Sequence, residues 1–265
     1  MPALDDHALA ADLAERAGCL LLELRAQGGD PGDLRDAGDR QSHEFLMSEL
    51  AKARPGDAVL SEEGIDDKAR LTADRVWIVD PLDGTREFGE PGRTDWAVHV
   101  ALWARDVPAP LGQRPDGTGD LIAGAVALPA QQRVLSTATP MPPPAGDGAG
   151  QPLRMVVSRS RASQLVRDVA ALVGAELVPC GSAGAKAATV VTGENDVYLH
   201  SGGFYEWDTA APVAVARQRG FHVSRIDGSP VVYNQKDPLL PDILVCRPAI
   251  APVLLRAIRE ATHAI

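Results

Sequence analysis

Asp80 and Asp83 stand in the stretch VWIVDPLDGTREFG, Val76 to Gly89, where a greasy β-like segment runs directly into two carboxylates, a proline and a glycine. Pro81 fixes φ and Gly84 permits a positive φ, so the chain turns sharply and the two aspartates can face one space. Carboxylates held together repel. Such a turn either uses Asp83 or Thr85 to cap the next segment, or it binds a hard cation, since carboxylate and carbonyl oxygens suit Mg²⁺. Three further acidic stations bear on that choice. Glu62-Glu63 follows the short β-like AVLS, Asp208 opens the helical EWDTAAPVAVARQRG, and Asp39 sits in RDAGDRQSHEF. Singly, these read as a solvated loop, an N-cap and a cap or exposed charge. Four stations together favour the cation site.

These stations depend on the elements that carry them. Leu9, Leu13, Ala17, Leu20, Leu21 and Leu24 recur at helical spacing, with Asp5 or Asp6 as cap and Gly28-Gly29 as stop. After the turn-rich GGDPGD, a second helical pattern places Phe45, Leu46 and Leu50 on one face and ends at RPGD. The runs AVLS, VWIVD, WAVHVALW, LIAGAVAL and RVLST then predict a largely antiparallel sheet. Residues 138–152, ATPMPPPAGDGAGQP, read as a linker or surface loop and divide an N-terminal lobe, 1–145, from a C-terminal lobe, 151–265. In the second lobe LRMVVS, a helix from about Ser163 to Val173, AELVPC, a small-residue helix in GSAGAKAATVV, and DVYLH alternate, which predicts a more parallel, helix-covered sheet. The helix EWDTAAPVAVARQ accommodates Pro212 if that residue lies in its first turn; a hairpin-like VSRIDGSPVVY and a helix from Ile250 to Ala264 close the chain.

Composition narrows the function. Lys and Arg total 26 against 36 Asp and Glu, a formal charge of −10, which disfavours nucleic acid and anionic membrane as partners. No stretch is long or apolar enough to span a bilayer, and the first residues do not read as a signal peptide. Cys19, Cys180 and Cys246 form no C-x-x-C pair, so neither a disulfide framework nor a zinc site is suggested and a reducing cytoplasm fits. P-loop, zincin and serine-hydrolase signatures are absent.

The combination LSEE, WIVDPLDGTREF and EWDTAAPVAVARQRG resembles the magnesium-dependent, lithium-sensitive phosphatase superfamily of inositol monophosphatases, fructose-1,6-bisphosphatases and 3′-phosphoadenosine 5′-phosphate phosphatases. Within it, DGT followed by a basic residue and EF is similar to the CysQ-type 3′(2′),5′-bisphosphate nucleotidases of sulfate assimilation. The resemblance implies a layered α-β-α-β-α sugar-phosphatase fold, α+β or α/β in class. It implies that Glu62, Asp80, Asp83, Asp208 and the Leu82 carbonyl hold two or three Mg²⁺ ions, and that Asp39 and Thr85, with Glu62, serve catalysis by orienting or deprotonating the attacking water. It also brings the expectation of a homodimer. Where nucleotidases often carry K-x-D-x-S-P-V-T, this chain reads DLRDAG.

On that resemblance the substrate is a phosphorylated nucleotide, and its phosphates and ribose fall to Gly84, Thr85 and Asp208 together with two later segments. VVSRSRAS offers Ser158, Arg159 and Ser160, and CGSAGAKAATV opens a helix with Gly181 and Ser182 and reaches Lys186. Backbone N–H groups at a helix start, hydroxyls and a cation suit phosphate. His99 and His200 read as packed or surface residues, Trp207 as core, and Tyr205 and Tyr233 as neighbours of an adenine. Two alternatives stay open: inositol 1-phosphate or fructose 1,6-bisphosphate on the same metal site, and a non-catalytic nucleotide sensor. Metal motifs alone do not separate them.

Overall fold

The computed structural model describes residues 4–105, 107, 119–139, 151–160 and 162–263. Except at its two ends, the run expected as a linker lies outside these residues.

Helix α1 (Asp6–Gln27) begins where Asp5 accepts the Ala8 amide at 2.7 Å and ends at Gly28, whose φ is 69°. Helix α2 (Pro31–Ala53) starts earlier than expected, inside GGDPGD. Asp30 is its N-cap and Pro31 fills the first turn, where a missing N–H costs nothing. Asp39 therefore lies in mid-helix, half-buried, and is no cap. The sequence that departs from the nucleotidase pattern is part of this unbroken helix.

The first sheet runs in the order β1 (Ala58–Ser61), β2 (Arg75–Asp83), β3 (Ala97–Ala104), β4 (Asp120–Leu128), β5 (Arg133–Ser136). Only β1 and β2 pair in parallel, so it is largely antiparallel as expected. A short helix, α3 (Thr85–Gly89), follows β2. The second sheet has the order β7 (Glu176–Cys180), β6 (Arg154–Ser158), β8 (Val197–Tyr205), β10 (Leu239–Cys246), β9 (His222–Ser224). It is mixed rather than mainly parallel. The pairs of β6 with β7 and β8 are parallel, while β10 runs antiparallel to both β8 and β9. Strand β10 is the element that sequence reasoning missed: Pro241 interrupts its pattern and is accommodated at a register shift between Leu240 and Asp242. The expected hairpin is absent, since β9 pairs with β10 and VVY forms no strand.

Helices α4 (Gln164–Val173), α5 (Ala183–Val191), α6 (Glu206–Gln218) and α7 (Ala251–His263) complete five layers. Strand alternation sorts the side chains among them. Trp77 and Val79 face α1 and α2, whereas Val76 and Ile78 face α5 and α6. Val156, Tyr198, Ile243 and Val245 cover the other side of α5 and α6, and Met155, Val197, Leu199 and Leu244 face α4 and α7. The expected α-β-α-β-α order is thus found. Segments 1–145 and 151–265 share the middle core, because α5 and α6 are sandwiched between both sheets. Pro212 is in the second turn of α6, not the first, and its missing N–H deprives the Asp208 carbonyl of an i+4 donor. Among the described residues no helix is long and apolar enough to cross a membrane.

Candidate active site

Strand β2 delivers Asp80 at the point where its ladder with β3 breaks register, between Asp80 and Asp83. Asp80 is buried, and its Oδ1 accepts the Leu82 amide at 3.0 Å, which closes the turn. Gly84 then adopts φ 89°, and a Cβ there would stand 3.1 Å from that of Ser182. Helix α2 supports the turn from behind, with Ser42 Oγ donating to the Pro81 carbonyl at 2.7 Å. Gly38 lets that helix approach: a Cβ on it would lie 2.8 Å from Phe88 and 2.9 Å from Leu82. Neither Ser42 nor Gly38 carried a sequence signal beyond its place on the inner side of a helix.

Oxygens of Asp80, Asp83 and Asp208 all lie within 4.8 Å of one another. Burial, then the charges of Glu62, Asp83 and Asp208, push the Asp80 carboxyl well above the ordinary range. Asp208 is pushed up to about 6, first by burial and then by Asp83, while the Tyr205 amide, donating to its Oδ2 at 2.6 Å, opposes the rise. Glu62 sits at the exposed rim of the cleft beside Asp80, outside the trio. Desolvation, then Asp208 and Asp83, raise it to about 7 against a hydrogen bond with Asp80. An all-oxygen donor set in which Asp80, Asp208 and Glu62 are raised by burial and by neighbouring carboxylate charge is the chemistry that a hard divalent cation satisfies. The group fits the residues.

Asp83 behaves differently. Its carboxylate accepts the Ser182 hydroxyl, the Ala183 amide at 3.1 Å and the Gly184 amide at 2.6 Å, so it occupies the N-terminus of α5. Against its burial, His99, Lys186 and the Ser182 hydroxyl hold it at about 2. His99 is fully buried beneath the cluster, its Nδ1 3.0 Å from the Trp207 carbonyl and its Nε2 3.2 Å from Asp83 Oδ2.

The remaining residues are brought to the same cleft, of about 400 Å³. Glu62, Leu82, Gly84, Thr85, Ser158, Arg159, Ser160, Gly181, Ser182 and Lys186 line it with Asp80, Asp83 and Asp208. Several are engaged within the protein. The Ser182 hydroxyl goes to Asp83, and the Gly181 amide donates to Asp95 Oδ2 at 2.5 Å. Lys186 is buried and donates to the Gly181 and Ser182 carbonyls at 3.2 and 2.5 Å, and burial lowers its pKa. Arg159 is clamped by Glu87 at 2.8 Å and Glu90 at 2.9 Å. The helix start that suggested a phosphate seat therefore holds a carboxylate of the chain itself. Arg86, which also lines the cleft, is exposed and has no ion-pair partner among the described residues.

Thr85 Oγ1 lies 3.2 Å from Asp39 Oδ1 and 3.1 Å from the Leu82 carbonyl, two acceptors for one hydroxyl proton. Asp39 is raised to about 6 by burial and then by Glu63. Tyr233 does not reach the cleft; it is buried with its hydroxyl 3.1 Å from Thr209 Oγ1. Trp207 is half-buried: it packs against the middle core, as expected, and also lines the cleft with His200, Phe204 and Tyr205.

Five layers and a cleft of crowded carboxylates that could hold a metal ion define an α/β protein of the sugar-phosphatase architecture. The profile of the Inositol monophosphatase family matches residues 8–263, and the chain belongs to that family. A 3′-phosphoadenosine 5′-phosphate phosphatase of Mycobacterium leprae is 52% identical over 260 residues, 97% of this chain and 94% of the relative. The crystal structure of CysQ from Bacteroides thetaiotaomicron superposes with TM-score 0.72 at 27% identity, covering 91% of this chain and 96% of that one. Inositol monophosphatase II from Staphylococcus aureus reaches TM-score 0.78 at 19% identity, over 97% and 96% of the two chains, a likeness of fold alone.

Proposed function

We propose that this chain is a magnesium-dependent phosphatase that hydrolyses the 3′-phosphate of 3′-phosphoadenosine 5′-phosphate, giving AMP and inorganic phosphate. The observation that carries the reading is the buried trio Asp80, Asp83 and Asp208, and the 52% identical relative of that name supports the substrate. Asp80, Asp83, Asp208, Glu62 and the Leu82 carbonyl would hold two or three ions. Mg²⁺ bound there would neutralise the phosphate dianion and acidify water at neutral pH.

The chain's own groups do the rest. Asp83 is anchored on α5, so the distance between the sheet that carries Asp80 and the helix pair that carries Asp208 is fixed before substrate arrives. Thr85 orients the attacking water, and Asp39, with the raised affinity for protons that burial gives it, receives the proton through that hydroxyl. Ser158, Arg159, Ser160, Gly84 and Arg86 face the rest of the substrate, Arg159 by leaving its glutamates or by presenting its outer N–H groups. Gly181, Ser182 and Lys186 serve mainly by holding Asp83 and the turn before α5.

The test is inorganic phosphate release with Mg²⁺, comparing kcat/KM for 3′-phosphoadenosine 5′-phosphate, inositol 1-phosphate and fructose 1,6-bisphosphate. A preference for the nucleotide of tenfold or more is expected, on the order of 1.4 kcal/mol of transition-state discrimination. Preference for either of the others would overturn the substrate, and no release from any would overturn the enzyme.

A further inference from the structure

Glu62 stands just past the end of a strand. The parallel ladder of β1 with β2 ends at Ser61, and the Glu62 amide is 3.4 Å from the Val79 carbonyl. Residues 62–67 then form no helix or strand, and burial does not hold them, since Ile65 among them is 99% exposed. A carboxylate on such a segment keeps its place only if the segment is tied at both ends.

Both ties are present. At the start, His43 of α2 has its Nδ1 2.9 Å from Ser61 Oγ. At the end, Arg70, in the 3₁₀ turn Lys68–Thr72, is buried and grips Asp66 with two N–H groups, at 2.7 and 3.0 Å. The same guanidinium donates to Asn234 Oδ1 at 2.7 Å and to the Gln235 carbonyl at 2.9 Å. Glu206, the first residue of α6, accepts the Asn234 and Gln235 amides at 2.7 Å each, and its own amide donates to the Pro238 carbonyl at 2.8 Å. Asp208 follows two residues along the same helix.

Hydrogen bonds thus run from the loop that carries Glu62 to the helix end that carries Asp208, through Asp66, Arg70, Asn234, Gln235 and Glu206, none of which lines the cleft. Asn234 holds φ 58°, a left-handed value that costs a non-glycine residue energy and persists where its surroundings over-determine it. Burying a guanidinium and a carboxylate also costs desolvation that apolar side chains would avoid. What these charges supply is direction, because the planar fork of Arg70 fixes the angle as well as the distance between two segments.

We propose that Arg70, Asn234 and Glu206 are positioning residues, a buried strut that sets Glu62 against Asp208 and so fixes the spacing of the cation site. This rests on the reading that those two carboxylates take Mg²⁺, and deepens it.

Two variants that leave the net charge unchanged test it, so that a change in cation affinity reports geometry. Asn234→Gly keeps the left-handed backbone, which glycine adopts freely, and removes the side-chain link to Arg70. Arg70→Lys keeps the charge and loses the fork. The measurement is the Mg²⁺ dissociation constant by calorimetry on the substrate-free protein, well below each variant's melting temperature. It is expected to rise about tenfold in Asn234→Gly and at least as much in Arg70→Lys, as for other groups that hold a ligand from behind. In kinetics, raising Mg²⁺ should restore kcat, with KM for 3′-phosphoadenosine 5′-phosphate unchanged.

A dissociation constant within about twofold of wild type in Asn234→Gly overturns the strut. It does so even if the melting temperature falls, since that result assigns the network to stability alone. Wild type that binds no Mg²⁺ refutes the cation reading and the strut with it, whereas wild type that binds beside unaffected variants refutes the strut alone.

Discussion

Asp83 and Gly184, one hundred and one positions apart, meet where the Gly184 amide donates to Asp83 Oδ2 at 2.6 Å. That contact pins the carboxylate-bearing turn of the first sheet to the helix layer shared with the second, and it makes the N-terminus of α5 part of the candidate site. It also requires a residue with no side chain, since a Cβ on Gly184 would collide with His99 Nε2.

Gly184→Ala is accordingly expected to destabilise the protein by about 1–3 kcal/mol through overpacking and to lower kcat by displacing Asp83. Asp83→Asn is expected to cost about 2 kcal/mol, because its NH2 end must face a backbone donor that it cannot accept from, and to cut turnover by more than about a hundredfold. Thermal melts and phosphate-release rates on both variants check this. Normal turnover in Asp83→Asn would refute the metal assignment.

The carboxylates were legible because each follows or opens an element whose own pattern is plain: the buried run before Asp80, the short strand before Glu62, the helix that Asp208 opens. The five layers followed from the resemblance, while the order of elements gave the two helices and the two sheets. What was not legible is pairing at long range. A helix start made of Gly181, Ser182 and small residues has the same sequence whether it awaits a phosphate or seats Asp83, and nothing local names a partner a hundred residues away. His99 failed for the same reason, since alternation shows that a residue faces inward but not what it meets. Strand β10 was hidden by Pro241 and Asp242, the latter satisfied by Arg225 at 2.7 Å.

Stability should depend on pH in a direction the crowding dictates. Glu62 and Glu206 are raised to about 7 and Asp39 and Asp208 to about 6, from ordinary values of 4.5 and 3.8. A carboxyl with a folded pKa above its unfolded one favours the fold when protonated, so this contribution is full below about pH 4 and is lost as pH rises through 6 to 7. Asp83, held at about 2, acts in the opposite sense only below pH 4. In a chelator, the melting temperature should therefore fall between pH 5.5 and pH 8, and Mg²⁺ should raise it most at pH 8. A melting temperature that climbs over this interval without metal would show that the carboxylates are not in conflict.

Among the described residues that line the cleft, Arg86 is the cation without an ion-pair partner, given that Lys186 is spent on carbonyls and Arg159 on Glu87 and Glu90. Arg86→Ala should lower kcat/KM for 3′-phosphoadenosine 5′-phosphate about tenfold, the weight of a charge-assisted contact, and by clearly less for adenosine 3′-monophosphate, which lacks the 5′-phosphate. Parallel kinetics on the two nucleotides decide it. Equal losses would assign Arg86 to the general field of the cleft rather than to one phosphate.

Asp39 and Thr85 should act in the chemical step and not in binding. Asp39 stands in the middle of α2, which Ser42 and Gly38 fix against the turn, so its carboxylate is held 3.2 Å from Thr85 Oγ1. Asp39→Asn preserves shape and removes the proton acceptor, and kcat should fall by about a hundredfold or more with KM little altered. Thr85→Ser keeps a hydroxyl in place and should retain most of the rate, whereas Thr85→Ala should approach the Asp39→Asn value. The double variant Asp39→Asn, Thr85→Ala should then be little slower than either single one, because two groups that pass one proton fail together. Independent, multiplying losses in initial-rate measurements would separate the pair and leave Asp39 with a supporting role in the turn alone.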